Sequence, residues 1–134
     1  MMWKVAQCAV QGRSHIKNDV PCQDKTYFII NDDTVVSALA DGAGSAKLSH
    51  YGAERITKFI CEELSQNFDS YFNNDDGVLV KTELDTKIKN EINSLSAVTK
   101  QRAMFFSRSH IHVLKWIHLS CRKYGLFIEH TFYS

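Results

Sequence analysis

Thr26-Tyr27-Phe28-Ile29-Ile30-Asn31-Asp32-Asp33-Thr34-Val35-Val36-Ser37-Ala38-Leu39-Ala40-Asp41-Gly42-Ala43-Gly44-Ser45 is the stretch that decides the fold. A β-branched and aromatic run and an apolar run flank Asn31-Asp32-Asp33, a turn composition. Residues 26–30 and 34–40 are therefore predicted to pair as an antiparallel hairpin. The second run delivers Asp41 at its end, followed by two glycines and an amphipathic stretch that begins near Leu48. Gly42 and Gly44 can take φ > 0 and let a ligand approach the main chain. Asp41 brings a hard carboxylate oxygen to the same spot, which suits Mg²⁺ or Mn²⁺ better than a softer metal. Pro21-Cys22-Gln23-Asp24 forms a second polar cluster one strand earlier. Together the clusters point to a carboxylate metal site, with a plain Asp-Gly turn as the alternative.

Outward from the hairpin, residues 3–10 alternate loosely and predict a further strand, followed by a polar loop over 12–23 that holds Pro21, the one proline. A helix is expected over 49–68, with Ser49 as N-cap and Tyr51, Ile56, Phe59, Ile60, Leu64 and Phe68 on its apolar face. Residues 73–77 read as a loop. A second helix over 80–97 carries Val80, Leu84, Ile88, Ile92 and Leu95 at spacings of four and three. Short hairpin-linked strands followed by grouped helices give an α+β pattern, the helices covering one sheet face. Further on, residues 111–119 and 124–133 read as two strands joined across Arg122-Lys123-Tyr124-Gly125.

With 134 residues, the chain has room for one domain. Its 44% hydrophobic and 23% charged content is that of a globular protein, and a net charge of +1 leaves no electrostatic footprint for nucleic acid. No run of 18 apolar residues exists and the N-terminus has no secretory pattern, so neither membrane nor export is expected. The four cysteines, Cys8, Cys22, Cys61 and Cys121, have no Cys-x-x-Cys spacing and read as free thiols of a reducing cytoplasm. Charge is uneven, however. Residues 1–100 hold 14 acids and 11 bases, whereas 101–134 hold Glu129 against five bases and four of the six histidines. His110-x-His112 has no nearby carboxylate or cysteine to complete a metal site. Gly42-Ala43-Gly44-Ser45-Ala46-Lys47 lacks the gap and the Gly-Lys-Ser/Thr ending of a nucleotide P-loop.

Residues 15–24, 35–45 and Ser49-His50-Tyr51-Gly52-Ala53, in that order, resemble the start of a bacterial type-2C protein phosphatase domain, the metal-dependent serine/threonine phosphatase family. The resemblance covers about residues 5–70 and extends weakly to 98. It implies an α+β fold of the α-β-β-α phosphatase type: an antiparallel β-sheet sandwich with flanking helices, here incomplete. It implies Mn²⁺ or Mg²⁺ in a two-metal site, with Asp41 bridging the metals, Gly42 giving a carbonyl ligand and Asp24 a direct or water-mediated one. Gln23 stands where the family more often has Glu. Asp24 and Asp41 are thus the catalytic candidates, a metal-activated water attacking a phosphoserine or phosphothreonine protein substrate. In place of the family's phosphate-gripping Arg, the loop offers His15 and Lys17 as substrate contacts, and a lysine lacks the bidentate grip of arginine.

The family's later Asp-Gly and Asp-Asn motifs have no counterpart, and no aspartate follows Asp85. On this reading residues 1–99 are the N-terminal half of the phosphatase domain, and 100–134 a basic, His- and aromatic-rich tail unlike the family, of the kind a shifted reading frame would create. The leading function is a metal-dependent protein phosphatase, truncated and short of metal ligands. The alternative is a non-catalytic remnant that binds a partner through exposed apolar surface.

Overall fold

The computed structural model describes residues 4–31, 34–42, 48–73, 76–99, 114–121 and 126–130. A short helix α1 (Arg13–Lys17) precedes strands β1 (Lys25–Ile30) and β2 (Val35–Gly42). Two long helices follow, α2 (Ser49–Phe72) and α3 (Gly77–Thr99), and then β3 (Leu114–Cys121) and β4 (Leu126–His130). The strands form one antiparallel sheet in the order β1-β2-β3-β4. This is an α+β architecture, and the predicted hairpin forms one side of the sheet with β1 at its edge, in register from Lys25 opposite Ala40 to Ile30 opposite Val35. The segment read as a tail supplies a second hairpin, with Cys121 opposite Leu126. The expected tip at Asp32-Asp33 and the tail's His110 and His112 lie outside the described residues.

Side-chain alternation gives the sheet two different faces. Val36, Ala38 and Ala40 point to one side and are buried, with Tyr27 and Ile29 beside them on β1. Helix α2 covers this face with Ala53, Ile56, Ile60, Cys61, Leu64 and Phe68. Small Ala38 and Ala40 let the helix lie close to the strand. The Cys61 thiol is buried there, 3.4 Å from the Tyr27 carbonyl oxygen, and burial pushes its pKa up to about 12, so it is an inert packing group. Val80, Leu84, Ile88 and Ile92 pack α3 onto α2, and among the described elements α3 touches no strand. The opposite face carries Thr26, Phe28 and Ile30 with Val35, Ser37, Leu39 and Asp41. Ile30 is 44% and Leu39 39% exposed.

Three sequence expectations are corrected. Residues 4–10 form no strand: they are mostly exposed, and Ala6, Gln7 and Ala9 give the alternation too little apolar area to hold a sheet edge. Ser49 is not an N-cap. Leu48 occupies that position, and Ser49, already helical, is fully buried. Tyr51 is 53% exposed, because, five residues before Ile56, it falls off the stripe of Ser49, Ala53, Ile56 and Ile60 that is buried. The start of α3 is instead capped by Asp76, whose carboxylate accepts the backbone N–H groups of Val78 and Leu79, both at 3.0 Å.

Polar contacts fix the α2–α3 pair. Arg55 meets Glu91 at 2.5 Å, and Lys87 meets Glu63 at 2.6 Å. The Glu63 carboxylate also accepts from the Tyr71 hydroxyl at 2.7 Å and the Asn67 amide at 3.2 Å. Asn67 leaves helical geometry (φ −120°, ψ 21°) and kinks α2 there. Burial pushes the Glu63 carboxyl upward, but the hydrogen bonds from Lys87 and Tyr71 outweigh it and hold the group below its ordinary 4.5. A carboxylate with a depressed folded pKa stabilises the fold above its unfolded value, and that contribution fades as pH falls through the folded one. Urea unfolding should therefore find Glu63→Gln less stable than the parent at pH 7, with the difference shrinking below about pH 4. An undiminished difference at pH 3 would remove the charge from this account.

Candidate active site

The site grows from the register of the hairpin. Lys25 lies opposite Ala40, and one step further the Gly42 N–H donates to the Gln23 carbonyl oxygen at 3.2 Å. Asp24 and Asp41 are therefore directly opposed on neighbouring strands and share the face turned away from α2. Both line an open cleft of about 400 Å³, whose floor continues one pleat along through Thr26 and Leu39. The other wall is Cys8, Ala9 and Val10.

Local chemistry explains that second wall. The Gln11 side-chain amide donates to the Val20 carbonyl oxygen at 2.6 Å, and the Val20 N–H to the His15 carbonyl oxygen at 2.9 Å. Between them α1 ends on Asn18, and Asp19 takes the left-handed conformation (φ 53°), which aspartate tolerates better than most residues. This clamp sends the chain out beside its own entry, so Cys8–Ala9–Val10 runs alongside Asp24.

Gly42 is needed for a different reason from the one its sequence context offers. It belongs to β2, and its φ is not in the left-handed region. What singles it out is close approach. A Cβ there would stand 2.8 Å from the Gln23 carbonyl oxygen and 3.0 Å from the Ser49 Oγ. The sheet is also irregular at this point, two steps of β2 from Ala40 to Gly42 spanning three of β3 from Ile117 to Leu114. Such irregularities re-aim side chains and gather beside functional sites. Gly44 and Ser45 lie outside the described residues.

The same alternation accounts for Gln23. Position 23 points to the helix side and is buried, where a glutamate would carry a charge into the interior. A neutral amide suits the place, while Asp24, one residue on, is exposed on the cleft side. Of the substrate-contact candidates, Lys17 is exposed and His15 half-buried on α1, and neither lines the cleft. His50 is the second residue of α2 and half-buried. Burial and then Lys25 lower its pKa against a smaller opposing pull from Glu54, keeping the imidazole neutral at pH 7.

Sequence reasoning missed the cleft's apolar floor and wall. Thr26 and Leu39 were accessible to it, lying two residues from Asp24 and Asp41 and so on the same face; Cys8, Ala9 and Val10 were not, because the α1 clamp brings them there. Chemically, the opposed carboxylates offer hard oxygen donors of the kind Mg²⁺ and Mn²⁺ accept, and such ions bind through one or two carboxylates while keeping several waters. Among the described residues no group of three or more His, Cys, Asp or Glu is placed to hold a metal. No helix among the described residues is long and apolar enough to cross a membrane.

No curated protein and no solved structure matches this chain. A family model described as protein phosphatase 2C does match, over residues 11–112. That span takes in the α1 clamp, the hairpin, both carboxylates and both long helices, and it ends inside the segment read as a tail. The chain belongs to the protein phosphatase 2C family.

Proposed function

We propose that this chain holds part of the catalytic centre of a Mn²⁺- or Mg²⁺-dependent protein serine/threonine phosphatase, with Asp24, Asp41 and the Gly42 carbonyl as metal ligands. The observation that carries the reading is the hairpin register, which sets two carboxylates opposite one another at the mouth of a cleft. Like charges directly opposed across strands disfavour pairing, a cost that a cation held by Asp24 and Asp41 would offset. When bound, divalent metals supply an acidified water and neutralise phosphate oxygens.

The chain's own residues do the rest. Asp41 is held by β2 and Asp24 by the step of chain entering β1, so the separation of their main chains is that of a strand pair. Gly42 and Gln23 close the ladder behind them. Leu39, Ala9 and Val10 give the open cleft an apolar side next to the carboxylates. The substrate class, a phosphoserine or phosphothreonine protein, follows the family.

The test is calorimetric titration of the full chain with Mn²⁺, beside Asp41→Asn. The parent is expected to bind, and the variant to lose at least about tenfold in affinity, one charge-assisted ligand being worth more than about 1.4 kcal/mol. Equal binding by both would overturn the assignment of Asp41.

A further inference from the structure

Besides Asp24 and Asp41, the cleft is lined by five side chains. Thr26 and Leu39 lie opposite one another on the floor, one pleat along from the carboxylates. Cys8, Ala9 and Val10 make the wall. Of these five, Thr26 alone carries a group that both donates and accepts strong hydrogen bonds, a thiol being weak in either role.

The register that opposes the carboxylates also sets their distance from Thr26. Asp24 is two residues away on the same strand face, about 7 Å at the rise of an antiparallel strand. Asp41 is the diagonal neighbour across the pair, at about 7–8 Å. Such a gap is too long for a direct bond of about 2.1 Å from hydroxyl to ion. One water bound to the ion, with a hydrogen bond of about 2.8 Å beyond it, spans most of the distance. Mg²⁺ and Mn²⁺ held by one or two carboxylates keep several waters, and a cleft of about 400 Å³ has room for them. Strand formation asks for a β-branched side chain at position 26, and valine would supply the same shape. The next residues of β1 on this face, Phe28 and Ile30, are apolar, so the hydroxyl belongs to no polar stripe along the strand.

We infer that Thr26 is a positioning residue for metal-bound water: its hydroxyl accepts a hydrogen bond from a water of the cation held at Asp24 and Asp41. The inference rests on the metal reading given above. Leu39, directly across from Thr26, and Ala9 and Val10 on the wall offer that water no side-chain partner. The hydroxyl therefore fixes the water on the β1 side of the cleft. Groups that hold a metal's ligands in place in this way contribute to its affinity without touching it.

Two conservative variants separate the hydroxyl from the shape. Thr26→Val keeps the β-branching and removes the hydroxyl, whereas Thr26→Ser keeps the hydroxyl and gives up the methyl group. The experiment is a melt without metal and a calorimetric Mn²⁺ titration on four full-length proteins: parent, Thr26→Val, Thr26→Ser and Asp41→Ala. Thr26→Val should bind Mn²⁺ about fivefold to tenfold more weakly with no loss of melting temperature. Thr26→Ser should bind within about twofold of the parent, although it melts a few degrees lower. A threonine that serves only the strand would give the reverse: Thr26→Val like the parent in affinity, and Thr26→Ser altered in its melt alone. Loss of binding in Asp41→Ala, with Thr26→Val unchanged or with both Thr26 variants equally weakened, would overturn the inference and leave the metal reading standing. Absence of binding in the parent, or its persistence in Asp41→Ala, would overturn the metal reading and the inference with it.

Discussion

Replacing Ile60 by alanine will cost the fold about 3 kcal/mol, the largest single loss expected anywhere in this molecule. Ile60 is fully buried in α2 within the cluster that holds Val36, Ala38 and Ile56. It lies between the helix axis and the sheet, in the layer that everything else packs upon. Removing three carbons from such a site loses their transfer free energy and leaves a cavity that a strand and a helix, each tied by backbone hydrogen bonds, cannot collapse to fill. For a chain of this size the melting temperature should drop by about 10 °C. Leu79→Ala, at a residue 53% exposed on the same helical pair, should change stability by no more than about 0.5 kcal/mol. Thermal unfolding of the two variants beside the parent checks the contrast. A comparable loss in both would mean that the α2–sheet layer is not the core.

Gly42→Val should come second, with a loss of about 2–3 kcal/mol. The new Cβ would meet the Gln23 carbonyl oxygen at 2.8 Å, a main-chain atom that cannot swing aside, and the Ser49 Oγ at 3.0 Å. Relief requires β2 to withdraw from residue 23, breaking the bond from the Gly42 N–H to that same oxygen. Because that bond is the last rung holding Asp24 opposite Asp41, the damage reaches the site as well as the fold. Chemical unfolding measures the first effect; the second should appear as Mn²⁺ affinity lower than that of a core variant of equal stability. Native-like stability in Gly42→Val would show that the strand has room to move.

Much of this was legible beforehand. The 26–30 run is β-branched and aromatic and the 34–40 run is mainly apolar, with a turn composition between them, and the hairpin follows. The spacing of Val80, Leu84, Ile88 and Ile92 likewise marks a single stripe, and all four are buried. Even the pairing of the last two strands was visible across Arg122-Lys123-Tyr124-Gly125. The failures were those in which local chemistry is overruled by what lies across from it. Ser49 has a capping side chain, but the neighbourhood of Gly42 and Gln23 draws it into the interior. Gly42 looks like a residue chosen for its range of φ, whereas the space beside its Cα decides the matter. Asp24 and Asp41 were identified as one site from motif order. That they are opposed neighbours depends on a register that only pairing fixes.

The order of the strands has a consequence for how the protein assembles. β1 and β2 are joined by a turn, and α2 follows within a few residues, so these three can meet while little chain entropy has been spent. The contact between β2 and β3 is another matter: it sets Val36 against Cys121, with both long helices in the intervening chain. Closing a flexible loop of that length costs about 2–3 kcal/mol more than closing the first hairpin, and nothing repays it until the rungs begin to form. The side of the sheet that bears Asp24 and Asp41 should therefore be in place early, and the β3–β4 side should zip on last, as the slow step of folding.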